Sequence, residues 1–491
     1  MKLTGCGTGS ASHQRLFSTL IYKMPLIRTV EDRTKDVETL LGNPKKAMMA
    51  MAVPIIIAML VQNANNLIDT VWVAGLGSNA LAAVGLVFPI FFIMISIGNG
   101  IGVGSSSAIA RFLGMGDKKS ADRTAAQAIV LGIIGSVILA VLLVIFREQI
   151  FIALGAGDAL EDCLEYATPI FITCPLGILN GIMANLLRSE GASRRSMYSQ
   201  VLAAVINMVL DPFFIYDYGL GLGLAGAAWA TALSFLFSLV LICYWFFVGK
   251  STFLKISLKG FRFDAELDKA IFRVGIPASM EMIVISVSSM ILNIVIIGVA
   301  STDGVAIFSS TWKIIQFAMI PIMGIGSAVV PVCAAAFGMK KYDNIRTAYW
   351  YSIKIITIIV VIEALILALA AEQIVTIFTY SDDTALLRPD MAFGVRVSCI
   401  FLIFVPWGFV SAGLFQALGM GTKSLVATVV RNFLSIPLCY FIATDISSFW
   451  YGICASEIIG TAIIVVWGLL ILRYLMAGSY NPESSHRGPS A

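Results

Sequence analysis

Two side chains with oxygen atoms lie four residues apart within a long apolar segment of the sequence. They are Asn207 and Asp211, in the run VINMVLDP that begins at Val205. Residues four apart share one face of a helix, so both side chains are expected to face the same space. A carboxylate at bilayer depth costs at least about 2.5–3.5 kcal/mol unless a cation, a proton or a polar partner offsets it. The spacing therefore predicts a site at which a cation or a proton meets Asp211.

Further polar residues lie in two other apolar segments. An earlier segment contains Gln62, Asn65, Asn66 and Asp69, and a later one contains Thr231. A hard cation such as Na⁺ prefers several oxygen ligands. The expected cation-coupling site, for transported Na⁺, consists of Asp69, Asn207, Asp211 and Thr231. Two neighbouring carboxylates cannot both stay ionised cheaply without a cation, so the same pocket is expected to accept a proton as well.

A simpler alternative is that each aspartate caps a helix end or pairs with a cationic side chain. For Asp211 this alternative is favoured by Pro212 and by the nearby loop at Asp217, which place the aspartate toward the outer third of its helix. Both histidines, His13 and His486, lie in the polar terminal regions. Ion chemistry within the membrane is therefore left to carboxylates.

The composition places these residues in a membrane protein. The sequence is 58% hydrophobic and 13% charged, with a mean hydropathy of +0.90, well beyond an ordinary soluble domain. Segments of about twenty apolar residues span a bilayer, and in lipid they must be helical. Twelve are expected, at about 47–75, 81–110, 124–146, 163–187, 196–216, 224–248, 273–300, 305–337, 347–370, 391–418, 424–443 and 451–473. The expected fold class is an all-α polytopic membrane protein with twelve transmembrane helices.

Basic residues are distributed unevenly among the loops. The loops after even-numbered segments hold most of the lysines and arginines, whereas the opposite loops hold only Arg147 and Arg388. Because positive loops stay in the cytosol, a multi-pass protein of the cell membrane with both termini in the cytosol is expected. The extension before the first segment lacks the pattern of a signal peptide, and Met24 is an alternative initiator.

The chain contains an internal repeat. FLGM at 112–115 recurs as AFGM at 336–339, and Pro54 matches Pro277. An even number of helices in each copy gives both copies the same orientation, which predicts two lobes related by a pseudo-twofold axis along the membrane normal. The predicted units, with bounds good to about four residues, are a cytosolic extension (1–46), an N-terminal six-helix lobe (47–249), a cytosolic linker (250–272), a C-terminal six-helix lobe (273–473) and a cytosolic tail (474–491).

The repeat also predicts which lobe carries the ion chemistry. It places the apolar residues Leu292 and Phe441 opposite Asp69 and Asp211, so coupling is expected in the N-terminal lobe alone. In that lobe Pro54 removes a helix hydrogen bond and is expected to bend the first helix. A bend that depends on protonation of Asp69 would close the cavity and expel the substrate.

Several runs of residues together resemble one transporter family. They are QNANNLIDTVWVAGLG at 62–77, GIGVG at 100–104, NMVLDPFFIY at 207–216 and GAA at 226–228. In this order and on these helices they resemble the multidrug and toxic compound extrusion (MATE) family. The resemblance covers about 42–473 and is nearest the branch related to DNA-damage-inducible protein F, which has archaeal members.

The resemblance implies a twelve-helix, two-lobe antiporter that works by alternating access. Such a protein exports organic cations, drugs and other amphipathic compounds in exchange for Na⁺ or H⁺, with no resident cofactor. The acidic cluster of that branch lies in the N-terminal lobe and matches Asp69, Asn207, Asp211 and Thr231. Small amphipathic or cationic substrates and the lipid bilayer are the expected partners, with no nucleic acid and a monomeric state.

The resemblance also suggests the lining of the substrate cavity. Gln62 is expected to line it, together with Asn66 on the same helix. Relatives carry a tyrosine where this chain has Asn65, which makes the pocket more polar. Asparagines known on a later helix of relatives correspond to Asn180 or to Asn185, and the register between these two stays open.

The C-terminal half has buried charges of its own. Glu281 and Lys354 lie at similar depth and could pair, as could Arg396 and Glu457. Structural ion pairs are the expected role of these groups. Glu363 is the expected exception, because relatives carry an acid there and it lies deeper than its neighbours. Glu281 is an alternative second acidic site, one turn away from the position that another branch of the family uses.

Other function classes lack their motifs. The sequence contains no Walker motif, which disfavours ATP-driven pumping. It also lacks HExxH and GxSxG, and no histidine lies in the bundle, so an enzyme is not expected. A lipid-linked precursor flippase of the same superfamily is the alternative function. It would need a large cationic cavity, and the few central arginines argue against it.

Overall fold

The computed structural model describes residues 30–377, 379 and 385–477. The helices of this part are α1 (Val30–Leu41), α2 (Pro44–Ala74), α3 (Ser78–Gly114), α4 (Lys118–Ile145), α5 (Arg147–Ala153), α6 (Leu160–Ser189), α7 (Ser193–Ile215), α8 (Gly223–Cys243), α9 (Ala265–Gly338), α10 (Tyr342–Leu369), α11 (Ala371–Thr376), α12 (Arg388–Leu402), α13 (Val405–Ala417), α14 (Gly421–Ile442) and α15 (Ile446–Met476). Met24, both histidines and most of the predicted tail lie outside the described residues.

The helices reproduce the predicted membrane spans. Eleven stretches of the described residues are long and apolar enough to cross a membrane, and one bent pair of helices raises the number to twelve. Each coincides with a predicted apolar segment, because the length of an apolar run is set by the thickness of the bilayer. The predicted all-α fold class with twelve candidate spans is confirmed.

The tenth predicted segment, at 391–418, is not one straight helix. It consists of α12 and α13, which meet at a bend of 48°. Pro406 lies in the first turn of α13, where its missing N–H group is tolerated and its ring prevents continuation from the preceding turn. The apolar run showed where the span lies, but its composition did not show this break.

The long helix α9 contains two spans. Gly104 of α3 packs on Ile271 near the start of α9, whereas Gly114 of α3 packs on Ala335 near its end. Gly104 and Gly114 are ten residues apart, so the two contact points on α3 are separated by about 15 Å. If α9 were one straight helix of 74 residues, its two ends would be about 111 Å apart and could not both reach these points. The chain therefore reverses between the first span of α9 (Ala265–Ala300) and the second (Asp303–Gly338).

The seventh span begins earlier than expected. Asp264 caps α9 by accepting hydrogen bonds from the backbone of Glu266 and Leu267, so the helix starts at Ala265 rather than near 273. The irregular part of the predicted linker is correspondingly shorter than 250–272. The apolar pattern alone placed the boundary too late, since the first turns of α9 are polar.

Two large apolar cores and one small one contain most of the buried apolar side chains that the structure describes, and the small core, with Ile314 and Val375, belongs to the second half. Of the two large cores, one contains residues of the first half, such as Ile129 and Phe171, and the other contains residues of the second half, such as Tyr349 and Trp450. The first half of α2, including Met51, packs with the second core. Leu40 of α1 and Ala110 of α3 belong to the same core, so several helices of the first half contact the second half.

The loops rich in lysine and arginine lie together at one end of the bundle, here called the basic end. There, Lys118 donates to the backbone of Phe253, and Arg195 donates to the backbone of Ser251. The two halves of the chain also touch at this end, where Gly338 of α9 packs on the backbone of Arg111 in α3. Glycine permits this close approach because a side chain at the contact would meet the neighbouring backbone.

The helix α1 is an element that the sequence did not predict. It lies within the extension that was expected to be a polar tail, and its Val37 and Leu40 are buried. Asp36 of α1 pairs with Arg195 at 3.2 Å, at the basic end. A helix of twelve residues is short in isolation, so these tertiary contacts are what hold it.

Candidate functional site

A chamber of about 470 Å³ lies mainly within the first half of the bundle. Residues of α2, α3, α6, α7 and α8 line it, and Met282, Met323 and Ser327 of α9 contribute from the other half. The predicted site residues that line the chamber are Gln62, Asn65, Asn66, Asp69, Asn180, Asn207 and Thr231. Asn185 lines it as well, so both candidate asparagines of α6 face the same space.

Helical periodicity explains how these side chains meet. Gln62, Asn65, Asn66 and Asp69 follow one another at spacings of three and four, so α2 presents all of them on one face. On α7, Asn207 lies one turn before Asp211 and points the same way. The sequence spacing alone therefore positions each set, and the packing of α2 against α7 brings the two sets together.

A chain of hydrogen bonds links the helices at the inner wall of the chamber. Asn65 Nδ2 donates to Asn207 Oδ1 at 2.9 Å, and Asn207 Nδ2 donates to Asp211 Oδ1 at 2.6 Å. A longer contact of 3.5 Å joins Asn207 Nδ2 to Thr231 Oγ1, which itself donates to the backbone of Ala227. Asn65, the residue expected to make the pocket more polar, thus belongs to the same network as the aspartate.

The two aspartates face each other. Asp211 is fully buried behind Asn207, and Asp69 lies at the chamber wall. Asp69 Oδ1 and Asp211 Oδ2 accept no hydrogen bond from any donor among the described residues. The two carboxyl groups nevertheless lie close together in the buried site. A proton or a metal cation between them would satisfy both oxygen atoms.

The simpler alternatives for the aspartates are wrong. Asp69 lies five residues before the end of α2 and Asp211 four before the end of α7, so neither side chain caps a helix. The ion pairs found among the described residues involve other acids. No lysine or arginine in this part of the chain neutralises either aspartate.

Two residues of the chamber were not predicted. Tyr166 of α6 lines the chamber and lies near both aspartates. Arg188 was expected in a loop, but it lies in the last turn of α6, lines the chamber and donates to Ser196 Oγ at 3.1 Å. Neither residue has a helical spacing to the aspartates, because both reach the chamber only through packing of α6.

The C-terminal half does not contain the expected ion pairs. Glu281 accepts a hydrogen bond from Gln416 at 3.2 Å and does not pair with Lys354. Arg396 pairs with Glu372 at 2.9 Å, not with Glu457. Similar depth along two helices does not decide which faces meet, and this is why both expectations were wrong.

The other acids of that half lie apart from the chamber. Glu457 is 3.9 Å from Arg431, a loose ion pair in a buried position. Glu363 is half-buried on α10, and its Oε2 atom has no hydrogen-bond partner among the described residues. Neither Glu281 nor Glu363 lines the chamber. Pro54 lies inside α2, which continues through it as a helix, and its role in bending stays a prediction.

A two-halved helical bundle with a chamber in the membrane and buried carboxyl groups at its wall defines a membrane transporter. The MatE family matches residues 54–213 and 277–441. This chain therefore belongs to the MATE family of membrane transporters. The expectation that it is not an enzyme is confirmed by this membership.

Several relatives support the assignment over most of the chain. It is 30% identical over 438 residues to the multidrug export protein MepA of Staphylococcus saprophyticus, covering 88% of this chain and 91% of the relative. A solved MOP superfamily transporter from Pyrococcus furiosus, described as having a binding pocket of reverse polarity, is 36% identical with a TM-score of 0.87 and covers 90% of this chain and 99% of its own. An outward-facing multidrug resistance MATE transporter gives the same identity and TM-score, covering 90% of this chain and 98% of its own.

Proposed function

We propose that this chain is a secondary active antiporter that exports drugs and other amphipathic organic cations in exchange for Na⁺ or H⁺. The observation that carries the proposal is the pair of facing carboxyl groups, Asp69 and Asp211, with no protein cation beside them among the described residues. Two such groups cannot both be charged and unpaired in a buried site. They therefore bind a proton or a metal cation whenever the chamber is empty.

The same pocket can bind either coupling ion. For Na⁺, Asp69 and Asp211 would supply carboxylate oxygens and Thr231 a hydroxyl oxygen. Asn207 would supply its amide oxygen only after its amide group turns over, because its Nδ2 atom faces Asp211 and its Oδ1 atom accepts from Asn65. Such a set of oxygen ligands suits a hard cation. For H⁺, one proton shared by the two carboxyl groups gives the same neutralisation. Exchange follows because a cationic substrate in the chamber competes for the same negative charge.

The chamber suits amphipathic substrates of drug size. Its volume of about 470 Å³ lies within the range of small-molecule pockets. Phe88, Phe91, Met94 and Phe235 form apolar parts of the wall, and methionine adapts to ligands of different shapes. Relatives are named multidrug export proteins, in agreement with a broad substrate range.

The orientation follows from the positive charges. We place the basic end in the cytosol and the protein in the cell membrane, because positive loops stay on the cytosolic side. The two halves touch at the basic end, so the chamber would open to the opposite side. This arrangement supports an outward-facing state, and the similar solved structure in an outward-facing conformation agrees with it.

A flippase for lipid-linked precursors is the second candidate. It would need a cationic chamber, and Arg188 is the one lysine or arginine of the described residues that lines this chamber. Asp69 at the chamber wall, with Asp211 buried directly behind that wall, favours cationic cargo over an anionic precursor. The antiporter is therefore the better supported function.

Efflux from proteoliposomes tests the proposal. A fluorescent organic cation is loaded, Na⁺ and pH gradients are imposed separately, and wild type is compared with Asp69→Asn, Asp211→Asn and the matched control Asp158→Asn, an exposed acid outside the chamber. Wild type and control are expected to export in response to at least one gradient, and both chamber variants are expected to fail. Full export by the chamber variants, or no response of wild type to either gradient, would contradict the proposal.

A further inference from the structure

A second cavity, of about 520 Å³, lies at the basic end between the start of α2 and the first half of α10. This α10 groove is defined by Lys45, Arg346, Trp350, Lys354, Ile355 and Ile358. None of these residues lines the central chamber. The groove is therefore separate from the site of transport.

Three positive side chains converge on the groove from two helices. Arg346, Trp350, Lys354 and Ile358 follow one another at intervals of four, so they share one face of α10. Lys354 lies about 18 Å along the helix from its start, well inside the membrane span. Lys45 joins from the first turn of α2, with its Nζ atom 5.9 Å from the ring centroid of Tyr351.

The positive charges have little compensation within the protein. Asp343 is the one acid of the described residues that lines the groove, and none of the three cations forms an ion pair in this part of the chain. Three cations against one carboxylate leave a charge of +2. A lysine on a membrane span is costly unless its head group reaches the polar surface or meets an anion. The net positive charge of the groove therefore favours binding of a negatively charged ligand.

The groove opens to lipid as well as to the polar surface. Trp350 is 45% exposed and Ile358 52% exposed, and the same apolar face continues with the exposed Ile362 and Leu365. Tryptophan is enriched where the head groups of a bilayer meet its apolar part. A ligand that fills the groove must therefore combine a negative head with an apolar chain.

We propose that the α10 groove binds the phosphate group of an anionic phospholipid from the leaflet at the basic end. Lys45, Arg346 and Lys354 hold the phosphate, and one acyl chain lies along Ile355 and Ile358. Basic pockets between membrane helices recognise anionic head groups in this way. Because Lys45 belongs to α2 and the other two cations to α10, the bound lipid contacts two helices that come from different halves of the chain.

Lipid binding to the purified full-length protein tests the proposal. Native mass spectrometry in detergent measures the binding of phosphatidylglycerol, of zwitterionic phosphatidylcholine and of water-soluble glycerol phosphate. The groove variant Lys45→Gln/Arg346→Gln/Lys354→Gln is compared with the matched control Arg194→Gln/Lys259→Gln/Lys269→Gln, which removes three exposed cations at the basic end outside the groove. The groove variant is expected to bind phosphatidylglycerol roughly 100-fold more weakly, and the control is expected to bind like wild type.

Each other outcome overturns the proposal. Equal losses in the groove variant and in the control would assign binding to the general charge of the basic end. Glycerol phosphate that displaces phosphatidylglycerol at comparable concentration would make the ligand a soluble phosphate. Equal binding of phosphatidylcholine and phosphatidylglycerol by wild type would remove the charge preference. Should the triple variant fail to purify as a single species, Lys354→Gln alone must weaken phosphatidylglycerol binding severalfold while Lys259→Gln does not.

Discussion

The two halves of this transporter treat buried acids in different ways. In the first half Asp69, at the chamber wall, lies close to Asp211, which is buried behind Asn207, and no lysine or arginine of the described residues pairs with either aspartate. In the second half Glu281 accepts a hydrogen bond from the Gln416 amide, and Glu457 lies 3.9 Å from Arg431. A single buried acid can rest as a neutral group or an ion pair, whereas two facing acids require an external proton or cation. Ion coupling is therefore expected in the first half.

The positions that the repeat matches to the aspartates agree with this difference. Leu292, opposite Asp69, is buried in the apolar core of the second half. Phe441, opposite Asp211, is 81% exposed. Neither position holds a titratable group, so the second half offers no copy of the carboxyl pair at the corresponding places. If the antiporter proposal holds, the ion chemistry is confined to the first half.

Neutralising an acid in each half provides the strongest test of this contrast. Asp211→Asn removes one of the two facing carboxyl groups, and ion-coupled export is expected to fall roughly 100-fold, to background. Glu281→Gln removes the acid but keeps an oxygen atom that can accept the hydrogen bond from Gln416, so most export is expected to remain. The rates are measured with equal amounts of protein in vesicles. A comparable loss in both variants would show that coupling extends over both halves.

Removal of the amide between the helices should have the next largest effect. Asn207→Ala leaves Asn65 without its acceptor and Asp211 without its donor. Loss of such a buried hydrogen bond costs about 1–3 kcal/mol, so the apparent affinity for the coupling cation is expected to fall about fivefold to 150-fold. The control is Asn63→Ala, since Asn63 bonds only to the backbone of its own helix and does not line the chamber. An equal change in both variants would argue against a special role for Asn207.

Substitution of the two matched prolines tests whether helix bending matters for export in the first half alone. If bending of the first span at Pro54 closes the chamber, Pro54→Ala should slow export by roughly fivefold. Pro277 occupies the matching place in α9, where no coupling acid follows at the position of Asp69, and Pro277→Ala should change export little. Initial efflux rates under the same gradient provide the measurement. Full export by Pro54→Ala would remove the bending hypothesis.

The smallest effect on export is expected at Glu190, which directly follows α6 and accepts a hydrogen bond from the backbone of Leu254 in the linker between the halves. Burial raises the pKa of Glu190 to about 7, against the opposing influence of Arg195 and of the hydrogen bond from the backbone of Leu254. The folded protein holds this proton more tightly than the unfolded chain does. Its stabilising contribution is therefore present at low pH and is lost as the pH rises from about 4.5 through about 7.

Thermal unfolding between pH 4 and pH 8 measures this contribution. Wild type is expected to lose up to about 3 kcal/mol of stability across the range from this group. Glu190→Gln should flatten that part of the profile, and the control Glu148→Gln, at an exposed position, should not. Identical profiles for wild type and Glu190→Gln would show that Glu190 does not titrate in this range.

The sequence predicted best those features that depend only on spacing along the chain. Bilayer thickness sets the length of a span, and helical periodicity aligns Asn65 with Asp69 and Asn207 with Asp211, so these features were predictable. The approach of Tyr166 to the aspartates depends on how α6 packs, which no local spacing encodes.

The predictions for the second half were limited because the sequence does not show which way each helix is turned about its axis. Arg396 and Glu457 lie at similar depth, but Arg396 faces Glu372 of the short helix α11, which the apolar pattern did not reveal. Lys354 likewise turns toward the α10 groove and away from Glu281. Depth can be derived from the position of a residue in an apolar run, whereas the facing partner depends on lateral packing of the whole bundle.

We expect the carboxyl pair of the first half to exchange a proton for a cation. Proton release on cation binding is the most direct measurement of this exchange. Purified protein in weakly buffered detergent solution is mixed with Na⁺ or with an organic cation while the pH is recorded. Wild type and Glu281→Gln are expected to release protons on binding, and the double variant Asp69→Asn/Asp211→Asn is expected to release none. Unchanged proton release by the double variant would contradict the account.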